Sequence, residues 1–166
     1  MRHFKHVAVS AFAGLAALLF CPPAASAATG AGDGSWPQRE EVFQLIAHQT
    51  QINSVDVDGA GPTQGDEIVI TGDLLRGTTK VGDYSQICTL TRTAPADEFD
   101  LQCAGDLSLA PGQLTIQGRF TVTAAGPGSI DMAITGGTGR YRAAHGFIRA
   151  VNLSAADTQL TVHLIR

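Results

Sequence analysis

From Leu114 to Thr123, polar and apolar residues alternate without a break. Thr115, Gln117, Arg119, Thr121 and Thr123 stand against Leu114, Ile116, Gly118, Phe120 and Val122. A strand turns successive side chains to opposite faces, so a period of two predicts a strand with one wet and one buried face. The last segment repeats the pattern: Leu160, Val162 and Leu164 alternate with Thr161, His163 and Ile165. Six more segments read as strands: Val42 to Ile52, Glu67 to Leu74, Lys80 to Thr91, Phe99 to Leu109, Ser129 to Thr135 and His145 to Leu153. Glu40 to Gln51 also fits the start of a helix. The pieces between are short and turn-rich, among them "RGTT", "APG", "AAGPG" and "SAAD". Eight strands so joined predict an all-β fold, an eight-stranded antiparallel β-barrel or a sandwich. Closure into a barrel removes the open edges that invite aggregation. A barrel of eight strands can fill its interior with side chains or hold one small ligand.

The first residues belong to a different kind of segment. Arg2 and Lys5 precede an uncharged apolar run, Val7 to Phe20, which Pro22 and Pro23 break before Ala25-Ser26-Ala27. That order predicts a signal peptide over residues 1–28 and export from a bacterial cell. The run is shorter than the roughly 20 residues a spanning helix needs. Cys21 follows the bulky Phe20, which disfavours a lipid anchor there. Residues 29–38 are Gly-rich and aperiodic, a loose leader to a barrel domain over 39–166. Without Arg2 and Lys5, 9 Lys and Arg face 15 Asp and Glu, a net charge of −6 with histidine neutral. An acidic chain with no basic cluster argues against nucleic acid and against anionic membranes as partners.

Two cysteines remain after removal of the signal, Cys88 and Cys103. The midpoint between them falls at Pro95-Ala96, inside the turn "TAPAD". A hairpin centred there sets the two cysteines face to face, within reach of a disulfide. An exporting pathway favours that bond, and two free buried thiols are the alternative.

The stretch Ala133 to Gly146, "AITGGTGRYRAAHG", concentrates glycine in a way that suggests a phosphate loop. A Walker loop needs Gly-Lys-Ser/Thr, but Arg140-Tyr141 follows Gly139. A dinucleotide loop needs a third glycine where Arg142 stands, and a helix after it. The glycines instead predict positive φ and close backbone approach between strands. The same stretch resembles the signature of the dirigent proteins and allene oxide cyclases and their bacterial relatives. "QGDEIVITGDL", "VGDYSQIC" and "GQLTIQGRF" resemble further segments of that family, in the family's order, from about Val57 to Arg166. The resemblance implies an eight-stranded antiparallel barrel with an apolar cavity, often assembled as a homotrimer.

What it implies about chemistry depends on the residues. Allene oxide cyclases use a first-strand glutamate, a water-holding asparagine and a cysteine. The cysteine matches Cys88, but the asparagine position falls on Gly72, and Val42 to Ile52 holds no acid. Allene oxide cyclisation is therefore not expected. The dirigent signature ends Ala-Arg-Gly, where this chain has Ala144-His145-Gly146. His145 is either a changed catalytic group that can titrate near neutral pH, or a surface strand residue. If Cys88 points inward, as the resemblance implies, parity turns Tyr84 and Gln86 into the cavity with it. His48 and Arg119 join them as isolated candidates with no visible partner, so that the ligand-binding candidates are Tyr84, Gln86, His48, Arg119 and His145. The expected role is a secreted barrel that binds a small apolar molecule, and that acts, if it is an enzyme, as a cyclase or isomerase. It calls for no cofactor. A non-catalytic secreted barrel is the competing reading.

Other patterns carry less. Asp56, Asp58, Gly61 and Glu67 mimic calcium-loop spacing, but Ala60 fails a ligand position and no helices flank the segment. His48, His145 and His163 have no metal-ligand spacing, so no metal is expected. Asn152-Leu153-Ser154 is a glycosylation sequon, relevant only in a eukaryotic secretory route.

Overall fold

The computed structural model describes residues 39–59, 61–94 and 98–165. The expected signal peptide, 1–28, and leader, 29–38, lie outside them, as do residues 95–97 of the "TAPAD" turn. The strands are β1 (Glu40–Val55), β2 (Glu67–Arg76), β3 (Thr79–Ala94), β4 (Glu98–Leu109), β5 (Gly112–Val122), β6 (Ser129–Gly137), β7 (His145–Asn152) and β8 (Asp157–Ile165). Each pairs antiparallel with the next, and β1 pairs with β8 to close the barrel. The only helical piece among the described residues is one 3-10 turn, Gly139–Tyr141.

The Glu40–Gln51 stretch is strand and not helix because both of its edges find a ladder. Glu40 to His48 pairs with Ile165 to Asp157, and Ile46 to Val55 pairs with Leu75 to Glu67. Every backbone donor and acceptor placed in such a ladder is satisfied, which overrides a weak local preference. β1 is consequently longer than Val42 to Ile52 and includes two acids, Glu40 and Glu41. Both are exposed, and Glu40 accepts a hydrogen bond from His163 Nδ1 at 3.0 Å on the outer wall. A bulge between Gln49 and Gln51 takes Thr50 out of the β2 register, although its hydroxyl donates to the Thr71 carbonyl at 3.3 Å, and bends the strand.

The interior has two unlike ends. Toward the β2–β3, β4–β5 and β6–β7 connections, Leu45, Leu74, Leu107, Leu114, Val162 and Leu164 fill the barrel and are essentially inaccessible. Tyr141 and Ala144, on the β6–β7 connection, add to this plug. Toward the opposite end the inward positions include Ala47, Gly72, Gly105, Gly118 and Ala150, and the interior opens. Aliphatic side chains fill one end, and at the other the small residues leave space between the larger ones.

The glycine-rich stretch belongs to the plug. Gly139 has φ +57°, and a side chain there would collide with the Pro111 carbonyl. The nearby amides are already committed: Thr138 N–H donates to Gln113 O at 2.8 Å and Arg140 N–H to Pro111 O at 2.9 Å. Amides that clasp the β4–β5 turn are not free to cradle phosphate, so the glycines serve the turn and the close approach.

Candidate functional site

The open half of the barrel is a cavity of about 350 Å³. Its mouth lies between the β5–β6 turn at Pro127 and the β7–β8 turn at Ser154, Ala155 and Ala156. Ile70, Phe120, Ile130, Met132 and Ile148 make most of the wall apolar. A volume in the range of about 300–1,000 Å³, with few polar groups among apolar ones, is characteristic of a small-molecule site.

β3 contributes Tyr84, Gln86 and Cys88 to one wall of this cavity, as the alternation of a strand requires. Tyr84 lies opposite Gly72 of β2. A Cβ at Gly72 would sit 2.6 Å from Tyr84 Cε1 and would also strike the His48 carbonyl. The ring therefore occupies the space that a side chain at 72 would need. Partial burial raises the Tyr84 phenol above its ordinary pKa, because the phenolate would lose hydration. The phenol is a neutral donor at physiological pH.

Gln86 lies opposite Gly105 of β4. Its Nε2 donates to Cys88 Sγ at 2.9 Å, which leaves the amide oxygen as the stronger unspent group. Cys88 and Cys103 are directly opposed in the β3–β4 ladder and form the expected disulfide. The bond consumes the thiol at the position matching the cyclases' cysteine. Gln49, just before the β1 bulge, supplies a second inner amide that the sequence reading passed over.

The other three candidates sit elsewhere. His48 falls between the inward Ala47 and Gln49 and points to the outer face, where its Nδ1 lies 2.8 Å from Asp157 Oδ1. It is therefore neither inside nor without a partner. Arg119 is also on the outer face, where its guanidinium pairs with Asp100. Asp100 is the one buried charged side chain among the described residues. Arg92 reaches it at 2.6 Å and Thr121 at 2.7 Å, and Arg92 also holds Glu98 at 2.7 Å. These donors, the Arg92 guanidinium first, hold the Asp100 carboxyl well below the usual carboxylate range. His145 is an exposed strand residue whose Nδ1 lies 3.4 Å from the Ala143 carbonyl. The substitution of the dirigent arginine by histidine thus falls outside the cavity. Of the five candidates, the barrel brings together Tyr84 and Gln86.

The acids of the β1–β2 loop hold the loop itself. Asp56 Oδ1 accepts from the amides of Asp58 and Gly59, at 3.1 and 2.6 Å. Asp66 accepts from the amides of Val57 and Thr63, at 3.0 and 2.9 Å, which lowers its pKa.

No curated protein matches this chain. Among solved structures, one titled "Pyocyanin demethylase" superposes with a TM-score of 0.65 at 23% identity, covering 75% of this chain and 99% of that one. A pterocarpan synthase dirigent protein gives 0.63 at 17% identity, over 78% and 89%. An exo-specific intermolecular Diels-Alderase gives 0.64 at 15% identity, over 78% and 98%. At these identities the likeness is one of fold. The match to a family model is of another kind, since it spans residues 46–164, nearly the whole barrel, and it is on this match that the chain belongs to the allene oxide cyclase barrel like domain family.

Proposed function

We propose that the barrel takes one small apolar molecule into its open half and holds it folded, so that ring closure or coupling proceeds along one course. The observation that carries this reading is the cavity itself: about 350 Å³, walled by aliphatic and aromatic side chains, with polar tips from Gln49, Tyr84 and Gln86. Confinement of a flexible substrate removes the entropy of bringing its reacting ends together, and this needs no acid–base pair. The dry wall excludes water from any reactive intermediate. The similar folds include a pyocyanin demethylase, a pterocarpan synthase dirigent protein and a Diels-Alderase, which supports a small-molecule role. Export is part of the proposal and rests on the expected signal peptide over residues 1–28 and on the disulfide. Homotrimeric assembly rests on the family resemblance, together with the outward-facing Val42, Phe147 and Val151.

The test uses N-phenyl-1-naphthylamine, an uncharged fluorophore that brightens in apolar sites. The protein should bind it one to one. Ala150→Trp, which fills the cavity from β7, should abolish that binding with the strand spectrum retained. Equal binding by the filled variant, or none by either protein, would leave a barrel with a structural role.

A further inference from the structure

The cavity wall is unusual in its charges. Among the described residues that line it, the only carboxylate is Asp106, and strand parity places that residue outward. There Asp106 accepts from Ser85 Oγ at 2.5 Å. The arginines Arg92, Arg119 and Arg149 are all engaged on the outer wall, with Asp100 or Asp131. Among the described residues that line the cavity, no cation faces inward to receive an anionic ligand and no carboxylate faces inward to receive a cationic one. An ion moved into such a space loses its hydration without compensation.

Beside Gln49 on β1, two inward polar groups stand together on β3. Tyr84 donates, since burial keeps its phenol protonated. Gln86 gives one N–H to Cys88 Sγ, and its amide oxygen is an acceptor. The two stand two residues apart on one strand, so their Cα atoms are separated by about 7 Å. Gly72 of β2 faces Tyr84 and Gly105 of β4 faces Gln86, so each has one ladder neighbour without a side chain, while Leu107 and Ile70 flank them on the other side.

We propose that the cavity selects an uncharged molecule carrying a carbonyl-type acceptor and a hydroxyl donor, which Tyr84 and Gln86 read from the β3 wall. This rests on the small-molecule reading above and specifies its substrate class. Ionised congeners of the same shape are rejected by the absence of an inward counter-charge, and pure hydrocarbons forgo both hydrogen bonds.

Three naphthalenes of similar size separate these terms by calorimetry at pH 6: 6-hydroxy-2-acetylnaphthalene, 2-ethylnaphthalene and 6-hydroxy-2-naphthoate. The hydroxyketone should bind about tenfold tighter than the hydrocarbon, the gain of about one net hydrogen bond. The naphthoate should bind more weakly than the hydroxyketone by at least the same factor. Tyr84→Phe and Gln86→Leu should each weaken the hydroxyketone several-fold and leave the hydrocarbon unchanged. A hydrocarbon that binds as tightly as the hydroxyketone, a naphthoate that binds best, or variants that affect all three compounds equally would overturn the selectivity while the binding cavity stands. Failure of all three compounds to bind would overturn the cavity reading and this one with it.

Discussion

Replacement of both cysteines, Cys88→Ala with Cys103→Ala, should weaken the barrel by an amount that the structure fixes. The bond joins residues 15 apart in sequence. Cross-linking a loop of that length removes denatured-state entropy worth about 3 kcal/mol. The native side contributes little to the cost, because the β3–β4 ladder already holds the two positions opposite each other from Gly82↔Leu109 to Ala94↔Glu98. With a urea m-value of about 2 kcal/mol/M, a loss of about 3 kcal/mol lowers the midpoint by about 1.5 M. The lost sulfur packing adds to this, since the relative exposure of Cys88 is 2% and that of Cys103 is 0%. Equilibrium unfolding followed by the fluorescence of Tyr84 and Tyr141 and by strand circular dichroism would measure the shift. An unchanged m-value would confirm that the same surface is exposed in both proteins. A midpoint shift below about 0.5 M would refute the reasoning. It would mean that the denatured chain keeps the β3–β4 hairpin closed without the bond.

Three further outcomes follow from named contacts. Leu114→Ala, in the plug, should cost about 2–5 kcal/mol in urea unfolding, the range for a leucine that cannot be replaced by collapse of its neighbours. Gly72→Ala should push the Tyr84 ring from its place and reduce N-phenyl-1-naphthylamine affinity, while Gly77→Ala, in the exposed β2–β3 turn, should leave that affinity alone; equal effects would refute the account of Gly72. Asp100 has a folded pKa below its unfolded value near 4, so its stabilisation is present above about pH 4 and is lost as pH falls below it. Asp100→Asn should therefore lower the midpoint at pH 7 and flatten its decline between pH 4 and pH 2.5, and an unchanged slope would assign acid sensitivity to other groups.

The sequence made the architecture legible because period-two alternation and turn chemistry are local signals. Strand parity on β3 also placed Tyr84, Gln86 and Cys88 on one face, and the hairpin midpoint paired the cysteines. Parity would equally have excluded Arg119, which alternates with Phe120 and Gly118 on the polar side of β5, had it been applied to each polar residue in turn. His48 needed more. Its inward neighbours Ala47 and Gln49 fix its direction, and that direction depends on the β1 bulge lying beyond it at Thr50. The partners of His48 and Arg119 were invisible because Asp157 and Asp100 are distant in sequence and meet them only through strand pairing. The first-strand acids Glu40 and Glu41 were missed because β1 begins where β8 supplies a ladder, which no local pattern announces. The hollow end depends on small inward residues from five strands, and no single segment reveals that sum.

The contrast between a leucine-filled end and a hollow one separates two kinds of selection along the same strands. A substitution at Leu45 or Leu114 changes how often the chain is folded at all. A substitution at Met132, Ile130 or Ala150, a few residues further along a strand, changes what fits inside while the plug keeps the barrel closed. Because each strand runs from one end of the barrel to the other, β1, β2, β4, β5 and β8 each carry a position of both kinds. A lineage could therefore retune its ligand repeatedly by single steps at the mouth without first accumulating spare stability. Homologues of this barrel should diverge fastest in the lining and slowest in the plug, and the boundary between the two rates should run around the barrel as a belt.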